Sequence, residues 1–167
     1  FQMPADVSVI NNPELKNIQG VHFRGHEDLN EQTSVDLSLL PSPWLSGAIG
    51  ISGQKFIRWE SQRGCPFRCS FCQHKEAGKR LERTELEEGR VMQEIDLFCK
   101  EGVEEVAVLD PIFNMSPIAN GILRRFIENG FSGRLALQCR AEKCDEEFLQ
   151  LASQLDVKLE FGLQTIH

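Results

Sequence analysis

The chain predicts an α/β protein built on parallel strands, and three observations carry that expectation. From Lys55 onward short apolar runs alternate with stretches of helical period. The strand-then-helix pairs recur at crossover-sized spacings, which implies right-handed βαβ units rather than hairpins. The helical stretches stop at Glu101-Gly102 and Asn129-Gly130, turn signals that let the chain reverse. With 167 residues and 41% hydrophobic content, one real core plus an extension is expected.

The first strand is expected at Phe56 to Glu60. Thr84 with Glu87 three residues on reads as a capping box, opening a helix whose apolar face is Val91, Ile95, Phe98 and Cys99. Glu105 to Leu109 is the second strand, running into Asp110-Pro111-Ile112-Phe113-Asn114. Pro117 suits the start of the next helix, with Ile118, Ile122, Phe126 and Ile127 inward. Arg134 to Gln138 is the third strand, and Asp145 caps a helix burying Phe148, Leu149, Ala152 and Leu155. Val157 to Phe161 is the fourth. Parallel strands are expected to be covered on both faces.

Residues 1–49 read as an N-terminal extension and linker, and 50–167 as the core domain. Within the extension, Val7 to Ile10 and Ile18 to Arg24 suggest short strands, and Asp28 to Asp36 is turn-like. Pro41-Ser42-Pro43-Trp44 cannot continue a helix or a central strand, so it reads as a linker laying Trp44 and Leu45 on the following domain. The chain opens Phe1-Gln2-Met3, which suggests a piece of a longer protein.

Lys and Arg total 18 against 25 Asp and Glu, a net charge of -7, which argues against nucleic-acid binding through phosphate electrostatics. A local basic patch of Arg58, Arg63 and Arg68 could still receive an anionic group. No run of 18 apolar residues and no signal-peptide pattern occurs, so neither a membrane span nor secretion is expected.

Three of the six cysteines fall within eight residues, as Cys65-x3-Cys69-x2-Cys72. Such a loop can converge three thiolates on one metal centre, and soft sulfur ligands select iron-sulfur, zinc or copper. Gly64 and Pro66 suit a turn around an inorganic core, while Arg63 and Arg68 would favour thiolate over thiol. No fourth cysteine is local, so one metal position would stay open to a ligand. His74 keeps a Cys3His zinc site as the alternative, a structural or interaction domain rather than an enzyme. Metal ligation points to a reducing compartment, hence the cytoplasm, and Cys99, Cys139 and Cys144 read as small structural hydrophobes.

The three-cysteine spacing, with aromatic Phe71 before the last cysteine, resembles the signature of the radical S-adenosylmethionine (radical SAM) superfamily. The longer phrase Trp59 to Cys72 resembles the branch whose members often carry an N-terminal cobalamin-binding domain. That branch includes magnesium-protoporphyrin monomethyl ester oxidative cyclase and cobalamin-dependent methylases. The resemblance implies the first two thirds of a partial (β/α)6 TIM-like barrel. It also implies a [4Fe-4S] cluster on Cys65, Cys69 and Cys72 whose open iron is chelated by S-adenosylmethionine (SAM). The implied reaction is reductive cleavage to a 5'-deoxyadenosyl radical and hydrogen abstraction from a small-molecule substrate, by an oxidoreductase or methylase. An electron donor such as flavodoxin or ferredoxin is implied as a partner, and cobalamin as a cofactor of a longer form.

Ligands of parallel α/β folds bind beyond the C-terminal strand ends, which groups the cysteine loop with Asp110–Asn114, Cys139–Glu142 and Gly162–His167. The resemblance gives Asp110 to the SAM ammonium, with a turn-forming role as the alternative. Arg140 could fork onto the SAM carboxylate or simply pair with Glu142. Phe71 could pack on adenine or anchor the loop. Glu160 to Thr165 resembles the Glu-x-Gly-x-Gln-Ser phrase of related enzymes, offering Gln164 to SAM or substrate, with Glu160 facing inward to a partner such as Arg140.

Overall fold

The computed structural model describes residues 40–67, 69–70, 72 and 83–162. The chain divides into two compact units, Phe1–Asp36 and Leu37–His167, and every described residue belongs to the second. The expected strands at residues 7–10 and 18–24 lie outside the described residues, as do Arg68, Phe71, His74 and Gln164.

Four parallel strands form the sheet: β1 (Phe56–Trp59), β4 (Glu105–Val108), β5 (Arg134–Cys139) and β6 (Asp156–Phe161), in that spatial order. Between β1 and β4 lie a two-residue ribbon, β2 (Gln62–Arg63) with β3 (Thr84–Glu85), and helix α1 (Glu88–Lys100). Helices α2 (Ala119–Glu128) and α3 (Glu146–Ala152) complete the alternation. The register runs Arg58–Ala107–Ala136–Lys158 across the sheet, so each strand ends near the same rim.

Alternation with period two decides which face is buried. Ile57, Trp59, Val106, Val108, Leu135, Leu137 and Cys139 point into the core, where Val91, Ile95, Phe98, Ile122, Leu123 and Phe126 of α1 and α2 meet them. Aromatic rings link this layer edge to face: Trp59 lies 5.8 Å from Phe98 and 6.3 Å from Phe126. The opposite face, with Phe56, Arg58, Gln138, Lys158 and Glu160, is exposed among the described residues. The expectation of two covered faces is therefore corrected: the described helices lie on one side. In a barrel the other side turns to the lumen, so only the outer face needs them.

Two local expectations also change. Thr84 does not cap α1, because its backbone is committed to the ribbon opposite Arg63. The cap is Glu87, whose carboxylate accepts from the amides of Gly89 and Arg90 at 2.9 and 2.6 Å. Leu149 is 47% exposed rather than buried, since the short helix α3 turns only Phe148 and Ala152 fully inward. Other signals hold: Asp145 caps α3 by accepting from Phe148 N at 2.8 Å, and α1 ends at Gly102 with φ +69°.

The Leu40–Gly50 segment is packed onto this unit. Trp44 stands edge-on to Phe98 at 5.7 Å, while Leu45 remains 41% exposed. Arg90 donates to Leu40 O at 2.9 Å and to Glu94 at 3.0 Å, and buried Glu94 accepts in turn from Trp59 Nε1 at 2.6 Å. A carboxylate inside a helix face is tolerated because both its oxygens have donors.

Candidate metal centre at the strand mouth

The cysteine loop leaves the C-terminal end of β1 through the β2 strand. Gly64 adopts φ +88°, a conformation that only glycine takes without strain, and turns the chain into Cys65. Cys65, Cys69 and Cys72 are free and half-buried, and a turn joins Cys72 N to Cys69 O at 3.1 Å. Among the described residues no three His, Cys, Asp or Glu side chains are gathered tightly enough to hold a metal as they stand. The donor set nevertheless suits an iron-sulfur centre: three soft thiols, close in sequence and bound in no disulfide, at the rim where parallel folds bind ligands.

The remaining cysteines are of another kind. Burial pushes the Cys99 thiol up to about 11 and that of Cys139 up to about 12, so both stay protonated and inert.

Asp110, placed by sequence near the SAM ammonium, is fully buried just beyond β4. Its carboxylate accepts from Ser61 N at 2.8 Å, Gln62 N at 3.2 Å and the Ser61 hydroxyl. Gln62 adds a bond from Nε2 to Ile112 O at 2.8 Å, while its buried Oε1 has no partner among the described residues. Asp110 thus clasps the root of the cysteine loop to the end of β4. Burial outweighs the three bonds and raises its pKa from 3.8 to about 6.

Arg140 follows β5 directly. Its Nε bonds to the Glu142 carboxylate, and the guanidinium carbon stands 4.1 Å from the centroid of Phe67, inside the cysteine loop. Asn114 grips the Arg140 backbone from both sides, its Oδ1 accepting from Arg140 N at 3.0 Å and its Nδ2 donating to Arg140 O at 2.9 Å. Arg140 therefore pairs with Glu142, the alternative role, and its guanidinium also reaches the cysteine loop. Glu160 does not meet Arg140; it is exposed and pairs with Lys158 at 2.6 Å. Of the expected basic patch, Arg63 forks onto Glu60 and Arg58 lies over Phe56 on the sheet, while Arg68 is outside the described residues.

Sequence reasoning missed Phe67, Asn114 and the Asp110 clasp. Only the placement of Asp110 and Asn114 after one strand hinted that the segment would face the loop.

A parallel α/β sheet carrying three free cysteines at its C-terminal rim defines a candidate iron-sulfur domain of the barrel class. Residues 59–167 match the Radical SAM superfamily, and the chain belongs to it. The superfamily uses a [4Fe-4S] cluster and SAM.

Over 85 residues the chain is 34% identical to the cobalamin-dependent radical SAM methyltransferase TokK of Streptomyces tokunonensis. It is equally similar to a 2-(S-pantetheinyl)-carbapenam-3-carboxylate methyltransferase of Streptantibioticus cattleyicolor. Each match takes in 46% of this chain and 12% of the relative, so the chain spans a small part of those proteins. In structure it is similar to the radical SAM methyltransferase TsrM of Kitasatospora setae. One TsrM structure, with tryptophan and a SAM analogue, gives a TM-score of 0.57 at 24% identity, covering 68% of this chain and 23% of that one. Another, with cobalamin and a [4Fe-4S] cluster, gives 0.53 at 26%, covering 66% and 21%. The four strands are accordingly the front of a partial barrel.

Proposed function

We propose that this chain is the cluster-bearing front of a cobalamin-dependent radical SAM methyltransferase acting on a small molecule. The observation that carries the reading is the three-cysteine loop at the rim of a parallel sheet, within a stretch that matches the superfamily. The methyltransferase relatives favour methyl transfer over other radical SAM outcomes. The superfamily match supports the cluster over a Cys3His zinc site.

In this reading Cys65, Cys69 and Cys72 would hold the cluster, and SAM would bind to it through its amino and carboxylate groups. When bound, the cluster supplies the low-potential electron for reductive cleavage of SAM and, through it, hydrogen abstraction from the substrate. Arg140 presents its fork to the SAM carboxylate, Phe71 packs on adenine, and Gln164 bonds SAM or substrate. Asp110 positions the loop root and, fully buried with three donors on its carboxylate, leaves the ammonium to other groups. Residues 50–167 are the core domain, residues 1–49 its extension and linker, and cobalamin is a cofactor of the longer natural protein. Flavodoxin or ferredoxin supplies electrons in a reducing cytoplasm. Among the described residues no helix is long and apolar enough to cross a membrane.

The test is anaerobic reconstitution of the natural full-length protein with iron and sulfide, then incubation with methyl-labelled SAM, cobalamin and a reductant. Label should pass to cobalamin and onward to an added acceptor. A colourless protein holding one zinc, which transfers no label, would overturn the reading.

A further inference from the structure

We infer that Phe67 is a positioning residue for SAM, the platform that sets the Arg140 guanidinium against the cluster loop. The inference rests on the radical SAM reading above. Three contacts fix the guanidinium. Its carbon lies over the Phe67 ring, 4.1 Å from the centroid, its Nε is taken by Glu142, and the Arg140 backbone is clamped by Asn114 through two bonds. An arginine carries five N–H donors in a planar fork, and one of them is used by Glu142. Among the described residues neither Nη group has an acceptor. The edge left over is the one that suits a carboxylate bidentately.

The sequence position of Phe67 gives the contact its meaning. It lies between Cys65 and Cys69, so the ring that orients the fork belongs to the loop that would hold the cluster. A carboxylate arriving at a cluster-bound ligand would find the fork set by the same loop, and one contact registers the two halves of the site. Phe67 is 37% exposed and contributes little to the core, so a packing role does not account for its place. Asn114 completes the arrangement from the turn that follows β4, which keeps the Arg140 backbone from following its side chain into solvent. Glu142 is the second constraint: its carboxyl is lowered by its own backbone amide and then by Arg140, so it holds the Nε edge across the neutral range.

The test uses the anaerobically reconstituted full-length protein, with SAM affinity measured by titration and the electron paramagnetic resonance spectrum of the reduced cluster recorded with and without SAM. Phe67→Leu removes the π face and should bind SAM about 3- to 10-fold more weakly, with wild-type iron content. Phe67→Tyr keeps the face and should restore affinity. Arg140→Lys keeps charge without the fork and should lose at least as much. Wild-type affinity in Phe67→Leu, an equal loss in Phe67→Tyr, or a parallel loss of iron would each overturn the inference while leaving the radical SAM reading intact. A wild-type cluster whose spectrum ignores SAM would overturn both.

Discussion

Replacing Asp110 separates a clasp from a cofactor ligand. In Asp110→Ala the two amides and the hydroxyl of Ser61 and Gln62 lose their acceptor inside the protein. A buried donor left unsatisfied costs about 1–3 kcal/mol, so three of them should remove about 3 kcal/mol or more of stability. Asp110→Asn should behave differently. Its oxygen can accept from both amides, while its NH2 donates to the Ser61 hydroxyl, so all three bonds persist with the hydroxyl bond reversed. The charge is also gone, and with it the burial penalty that raises the Asp110 pKa from 3.8 to about 6. The sign follows from proton binding. A carboxyl whose pKa is higher when folded binds its proton more tightly in the native state, so the wild type gains stability as pH falls from about 6 toward 4 and loses it as pH rises through that window. A shift of about two units corresponds to about 3 kcal/mol at most, and hydrogen-bond rearrangement will reduce it.

Urea denaturation at pH 4.5 and 7.5, pH values of about one unit or more on either side of the shifted pKa, is the assay. Asp110→Ala should unfold at much lower urea at both pH values. Asp110→Asn should match or exceed the wild type at the higher pH and lose this component of the pH slope. An alanine variant as stable as the wild type would refute the clasp. An asparagine variant that is equally stable yet blind to SAM would return Asp110 to the cofactor.

Other outcomes follow from the same contacts. Trp59→Phe deprives buried Glu94 of one donor and should lower stability by about 2 kcal/mol, read as a lower melting temperature. Glu87→Ala should cost about 1 kcal/mol by chemical denaturation, whereas Thr84→Ala, at an exposed ribbon position, should cost little; the reverse order would restore Thr84 as the cap.

The strands and helices were legible because their signals are local. Alternation at Phe56–Trp59 and Arg134–Cys139, helical period through Val91, Ile95 and Phe98, and the glycine stop at Gly102 each act within a few residues. The ribbon was not, because Thr84 pairs with Arg63 across a loop whose length no periodicity reports. Buried Glu94 was hidden by its charge, which only Trp59 and Arg90, distant or polar themselves, make tolerable inside. Among the site residues, the cysteines were visible as a spacing, while the roles of Asp110, Asn114 and Phe67 depend on which loops meet at the rim. Loop-to-loop contacts of that kind are set by the sheet order, so they emerge only once β1, β4 and β5 lie side by side.

The most direct measurement is the electron paramagnetic resonance spectrum of the dithionite-reduced, anaerobically reconstituted full-length protein before and after SAM is added. A four-iron signal that shifts with SAM, and that weakens or vanishes in Cys65→Ala, Cys69→Ala and Cys72→Ala, is the predicted result. No four-iron signal, or one indifferent both to SAM and to loss of those three thiols, would contradict it.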